Sequence, residues 1–264
     1  MSLVFAALVP HPPLLLPAIG REHARLLEKT AASFAKISAT LLESNPETIL
    51  VISPHLAIMP GTFTVNHAPT YSTHFLEFGD FSKPREFSPD PLLIERIRHG
   101  ARKAGLKIIT VSDGHLDYGS GVPLKILPPS NSKPNIVVVS PVMDGSKHQF
   151  AFGQVIKEAI MGMSRRIAVV CSGDLSHRLS SDTPSGFSPK GKEFDDLMLT
   201  NLVSGTASPI LQMNQDLVEE AHACGYGPIC ILFGILDRIN YAPELLSYEA
   251  PYGVGYCTMN FHLK

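Results

Sequence analysis

Charge is scarce in this chain. Charged residues make up 17% of its 264 positions, the formal net charge is −2, and no basic stripe or block of one sign occurs. Without a cationic surface the chain lacks the phosphate contacts that dominate nucleic-acid binding and the attraction to an anionic membrane surface. No apolar run approaches the length of a bilayer span. The N-terminus also lacks the basic flank and small-residue cleavage site of a signal peptide. Cysteine is rare as well: Cys171, Cys224, Cys230 and Cys257 lie in the second half, with no CxxC pair. That pattern excludes a disulfide framework and suits reduced thiols in a cytoplasm. Repeats, low-complexity tracts and linker-like stretches are missing, so one domain over residues 1–264 is the expectation.

Apolar residues, at 44%, are enough for a substantial core. They gather in short β-branched runs: LVFAALV (3–9), TILVIS (48–53), LKIITVS (106–112), NIVVVS (135–140) and RIAVVCS (166–172). Continuous runs of this kind mark strands buried on both faces. Helical patterns occupy 21–44, 90–105, 150–165, 191–205, 215–225 and 227–239, and YGVGYCTMNFHL (252–263) has the character of a final edge strand. Strands alternating with helices predict an α/β fold with a central, largely parallel sheet flanked by helices. The stretch from Met59 to Pro91 reads as a long loop, with TFTV as a short hairpin, able to wall or cover a site.

In open α/β sheets, ligands bind beyond the carboxyl ends of the strands. His11 follows the first strand within PHPP, His55 follows the second within SPH, and Asp113-Gly114-His115 follows the third. The strand at 166–172 leads into GDLSHRL, which brings Asp174 and His177. One histidine after a strand is usually a loop residue bonded to a nearby carbonyl. Several at one sheet edge, two of them stiffened by proline, suit a metal site, because proline limits the backbone freedom of the residues beside it.

These residues carry a family resemblance. VPHPPLLLP (9–17), VISPH (51–55), LDYGSGVPL (116–124), SGDLSHRL (172–179), GKEFDDLML (191–199), CGYGPICILFGIL (224–236) and YEAPYGVGY (248–256) appear in order along nearly the whole chain. Together they resemble the class III extradiol ring-cleavage dioxygenases, the LigB superfamily, which includes the Memo proteins. The last three pieces are most similar to the AmmeMemoRadiSam system protein B branch.

The resemblance implies that His11 and His55 ligate a non-haem iron(II) and that His177 is the acid/base group beside dioxygen and substrate. For the third ligand it offers Cys224, the positional match to a Memo cysteine, and Glu220, one helical turn earlier, with Cys224 preferred. Glu219 is a weaker candidate. Ring-cleaving members often read Asp-His-Gly where this chain has Asp117-Tyr118-Gly119. Asp117, Tyr118 and the nearby His115 are thus candidate substrate-binding residues, and Tyr118 departs from the family pattern. Phe63, Tyr71, Phe75 and Phe78 are candidates for an aromatic wall.

The implied reaction is iron(II)-dependent extradiol cleavage of a catecholic or related aromatic by dioxygen, in a cytoplasmic enzyme that could be a homo-oligomer. The alternative is a Memo-like metal-binding, redox or ligand-binding protein without ring cleavage, for which zinc or copper would suit a thiolate ligand. A zinc hydrolase would use the same ligands but has no signature of its own here.

Overall fold

A computed structural model of the chain describes residues 2–56, 59–129, 131–142 and 145–264. The strands are β1 (Leu3–Val9), β2 (Thr48–Ile52), β3 (Phe63–Asn66), β4 (Tyr71–Ser72), β5 (Glu86–Phe87), β6 (Ile108–Val111), β7 (Asn135–Ser140), β8 (Ile167–Ser172), β9 (Tyr241–Glu249) and β10 (Tyr256–Leu263). The helices are α1 (Pro17–Gly20), α2 (Glu28–Ser44), α3 (Pro91–Lys103), α4 (Tyr118–Ile126), α5 (Ser146–Met161), α6 (Pro189–Ser204), α7 (Ala207–Leu211), α8 (Gln215–Ala221) and α9 (Tyr226–Leu236). Among the described residues, eight strands form one sheet in the order β6-β3-β7-β2-β8-β1-β10-β9, and β4 and β5 form a separate two-stranded sheet.

The sheet centre, β7-β2-β8-β1, is parallel throughout. Its apolar runs are continuous because successive side chains enter opposite cores. Ile49, Val51, Ile136, Val138, Ala168 and Val170 face one cluster, which includes Phe34, Ile37 and Leu41 of α2. Leu50, Ile52, Val137, Val139, Val169 and Cys171 face the other, with side chains of α3, α5, α6 and α9. The result is a three-layer α/β domain, as the strand–helix alternation predicts.

The flanks differ from the sequence reading. The run at 106–112 contributes β6, a sheet edge with partly exposed residues, so it is not buried on both faces. The TFTV segment is no hairpin: its Phe63–Asn66 is fully buried as β3, antiparallel to β7 and parallel to β6. The last strand is no edge either, since β10 lies between β1 and β9. The edge strand β9 escapes sequence reading because YAPELLSYE lacks a continuous apolar run and carries Pro243, which edge strands tolerate.

The remainder of the predicted loop is anchored by Arg85. Its guanidinium donates to the carbonyls of Leu124 (3.3 Å), Pro128 (2.6 Å), Pro129 (2.8 Å) and Ser132 (3.3 Å), so it gathers the last turn of α4 and the turns beyond it. A planar fork with five donors serves these four carbonyls at once, more than the three donors of a lysine could. Arg85→Ala is therefore expected to destabilise the protein by about 2–3 kcal/mol by stripping these acceptors. Arg85→Lys should recover little of the loss in urea-unfolding measurements.

Candidate metal centre

Strands β2, β8 and β1 are neighbours, so the residues after their carboxyl ends converge. His11 is 1% exposed, and its Nε2 lies 3.1 Å from Nε2 of His55. The Cys224 sulfur is 3.7 Å from the same His11 nitrogen, and the three donor atoms all fall within 4.8 Å of one another. Two nitrogens bound to one metal at about 2.1 Å, roughly at right angles, would stand about 3 Å apart. The observed spacing fits a shared cation.

The proton on His11 is assigned by a relay that starts in a helix. Pro123 lies inside α4 and has no N–H, so the Gly119 carbonyl, four residues earlier, has no helical donor. The Ser172 hydroxyl fills that role, donating to Gly119 O at 2.6 Å. With its single proton committed, Ser172 Oγ can only accept from His11 Nδ1, 2.9 Å away. Nδ1 thus carries the hydrogen and Nε2 presents a lone pair toward His55 and Cys224. Burial lowers the His11 pKa to about 3 and that of His55 to about 4, so both rings are neutral near neutrality and can act as ligands.

Cys224 reaches the centre through a turn. Helix α8 stops at Ala221, and His222 follows in the left-handed region (φ 52°), so Cys224 is not helical. Gly225 donates to Asp174 O at 2.8 Å, and a Cβ on Gly173 would overlap the Gly225 backbone; two glycines let these chains meet. The Asp174 N–H points at the Cys224 sulfur (3.3 Å). Burial pushes the thiol pKa up, and a cation in the cluster would oppose that rise.

Asp174 is 5% exposed, with Oδ2 3.6 Å from His11 Nε2 and 4.0 Å from His177 Nε2. Burial raises its pKa to about 6. Asp174, His177 and Cys224 also satisfy metal-ligand spacing. His177 Nε2 is buried and has no hydrogen-bond partner among the described residues, and burial lowers that ring's pKa. The Tyr118 ring stacks on His55 (centroids 4.3 Å apart) and meets His11 edge-on (5.4 Å). Its phenol is pushed up to about 12 by burial, with the nearby Cys224, Asp174 and Asp117 adding to the rise.

The other candidates lie elsewhere. Glu220 shares no face with Cys224, because the helix ends between them; its carboxylate accepts from Arg178 at 2.7 Å. Glu219 accepts from Gln215 on the exposed side of α8. His115 is exposed and stacks on His74 (5.3 Å). Asp117 is engaged by Ser53 (2.6 Å) and by the Ser120 amide (3.0 Å) and hydroxyl (2.8 Å), capping α4 and aiming Tyr118. Of the four wall candidates, Phe63, Tyr71 and Phe75 are core, Tyr118 packs against the cluster that holds Phe75, and Phe78 meets Tyr118 edge-on at 5.8 Å. Sequence reading missed Ser172, Gly119 and Pro123. The signal was there, as a proline four residues after a glycine in YGSGVP.

A doubly wound sheet with nitrogen and sulfur donors gathered at its carboxyl edge defines an α/β fold with a candidate metal centre. The family follows from comparison: residues 5–259 match the model of the catalytic LigB subunit of aromatic ring-opening dioxygenase, and the chain belongs to that family. It is 28% identical to protein CA_C1420 of Clostridium acetobutylicum over 98% of its own length, but it spans only 57% of that protein. It is 24% identical to the 2-aminophenol 1,6-dioxygenase beta subunit of a Pseudomonas species, covering 99% of this chain and 94% of the relative. With the 3,4-dihydroxyphenylacetate 2,3-dioxygenase of Escherichia coli it shares 28% identity over 62% of each chain. The crystal structure of the uncharacterized Escherichia coli K12 protein JW3007 superposes with a TM-score of 0.68 at 16% identity, covering 97% of this chain and 99% of that one, a likeness of fold. Among the described residues, no helix is long and apolar enough to cross a membrane.

Two expectations follow. Ser172→Ala removes the acceptor that fixes the His11 tautomer and should weaken Zn(II) or Fe(II) binding about 10–100-fold in competition titrations. The second concerns Asp195 of α6, a buried carboxylate whose pKa burial raises from 3.8 to about 6. Between pH 4 and 6 the unfolded chain releases this proton while the folded one keeps it, so the group's contribution to stability falls across that window and is flat above it. The melting temperature of Asp195→Asn should accordingly gain on the wild type from pH 4 to 6 and keep a constant offset at higher pH.

Proposed function

We propose that the chain is an iron(II)-dependent extradiol dioxygenase opening the ring of a catechol or related aromatic, with residues 1–264 as its catalytic domain. His11, His55 and Cys224 would hold the metal, and His177 would move the proton. The observation that carries this reading is the meeting of three lone-pair donors at one point, beside an unpaired imidazole nitrogen and a tyrosine ring. The names of the Pseudomonas and Escherichia coli relatives support an aromatic substrate with adjacent oxygen or nitrogen donors, and dioxygen as cosubstrate. Bound iron(II) would supply open coordination positions where the two substrates meet.

The chain's own groups divide the remaining work. Neutral His177 can accept a substrate hydroxyl proton at Nε2 and return it later, and the Asp174 carboxylate 4.0 Å away favours the protonated ring in between. Tyr118 keeps its proton near neutrality, so it donates a hydrogen bond and offers a flat wall without acting as a base. Phe78 extends that wall outward. Ser172 holds the His11 lone pair on the metal side.

One observation favours a second reading. The third donor of the cluster is a sulfur, the positional match to a Memo cysteine, and thiolates prefer softer ions such as zinc or copper. With such an ion the chain would be a Memo-like metal-binding or redox protein without ring cleavage.

Anaerobic protein loaded with Fe(II), mixed with oxygen and a panel including catechol, 2-aminophenol and 3,4-dihydroxyphenylacetate, separates the two. The expected result is oxygen uptake with a yellow ring-opened product. His177→Ala should keep its metal and lose at least about 100-fold in turnover. Cys224→Ala should lose metal while Glu220→Ala keeps it. Bound metal without product across the panel supports the second reading, and metal loss in His177→Ala would make that histidine a ligand.

A further inference from the structure

Two segments of the family resemblance, GKEFDDLML (191–199) and YEAPYGVGY (248–256), contribute nothing to the donor cluster. Both meet the loop that carries His177. Asp195, on α6 and 1% exposed, accepts the Ser176 N–H on Oδ1 at 2.8 Å and the Tyr248 hydroxyl on Oδ2 at 2.6 Å. Gly255 exchanges two backbone hydrogen bonds with the same loop, from Leu175 N to Gly255 O and from Gly255 N to Ser176 O, both 2.8 Å. A Cβ on Gly255 would overlap the Asp195 carboxylate, so this contact excludes every larger residue.

His177 depends on this backbone for its aim. Among the described residues its Nε2 has no hydrogen-bond partner, and the Asp174 carboxylate stands 4.0 Å away, so no hydrogen bond fixes that end of the ring. The loop, by contrast, is tied at each step. His177 N and Ser176 Oγ both donate to Ala221 O at 3.0 Å, Arg178 N donates to Ser176 Oγ at 3.0 Å, and Leu179 N donates to Gly253 O at 3.0 Å. Among the described residues, the Ser176 amide is the backbone donor of 175–179 that reaches a side chain outside the loop, and that side chain is a buried carboxylate. A buried N–H deprived of its acceptor is costly enough to make the peptide move.

We propose that Asp195 is a positioning residue for His177: locked by Tyr248, its carboxylate fixes the Ser176 peptide and thereby sets where the His177 ring stands. The reading of its effect on turnover rests on the acid/base role proposed above, and the test below does not. Asp195→Ala removes the acceptor. Asp195→Asn keeps a carbonyl oxygen for Ser176 and an amide for the Tyr248 oxygen, so it is the rescue.

The experiment uses the full chain, uniformly 15N-labelled, with the His177 imidazole signals assigned by difference from His177→Ala. In Asp195→Ala the Ser176 amide should exchange with solvent at least about tenfold faster than in the wild type. The His177 imidazole resonances should shift while signals from α3, which packs on α5 and β6 rather than on α6, stay in place. Asp195→Asn should restore both. Tyr248→Phe, which leaves the carboxylate but removes its lock, should move the same signals by less, and it decides the matter if Asp195→Ala does not fold. Unmoved His177 signals in the folded variants overturn the proposal, as does an Asp195→Asn protein that behaves like Asp195→Ala. Neither readout needs turnover, so this outcome is separate from whether ring cleavage is found.

Discussion

A serine hydroxyl has one proton to give, and at Ser172 it goes to a helix carbonyl that a proline has left without a donor. That bond joins β8 to α4 and, through His11 Nδ1, to the end of β1. It also decides that the inward-facing nitrogen of His11, Nε2, carries a lone pair rather than a hydrogen. If Ser172 could donate to His11 instead, the lone pair would turn outward and a hydrogen would occupy the space between His11 and His55. The lone pair that the candidate centre would offer a cation thus follows from a hydrogen bond that touches none of the space between His11 and His55.

Around this bond, burial sets the protonation of the rest. His11, His55 and His177 are all held toward their neutral forms, whereas Asp174 is held toward protonation at an unusually high pH. Low-dielectric surroundings suppress charge of either sign until a partner arrives. A divalent cation is such a partner, since it stabilises thiolate and carboxylate together while the imidazoles stay neutral. The carboxylates outside the cluster already have fixed duties: Asp117 caps α4, and Asp195 holds the Ser176 peptide.

The sheet centre was legible in the sequence because a strand buried on both faces must be apolar throughout, as NIVVVS and TILVI are. His11 and His55 were legible because proline-stiffened residues at strand ends have few places to point. Cys224 was reached through resemblance alone; the left-handed His222 that breaks the helix and separates it from Glu220 has no signature in AHACG. β9 was hidden by its polar, proline-bearing edge character, and β3 by its shortness. Ser172 passed for a strand-end residue, since its importance depends on a carbonyl 53 positions away in sequence. The relay it belongs to is a property of packing, which local patterns do not encode.

The position of β10 has a kinetic side. One of the two sheet neighbours of β1, paired as Ala7 with Asn260 and Leu8 with Met259, lies more than 250 positions further along the chain. The other neighbour, β8, is also far along the chain. Native contacts of such sequence separation close late, after the chain between them has been ordered. His11 and Cys224, 213 positions apart, belong to the same late event. The donor set therefore comes into being only as the domain closes, and a half-made chain offers an incoming ion scattered single ligands.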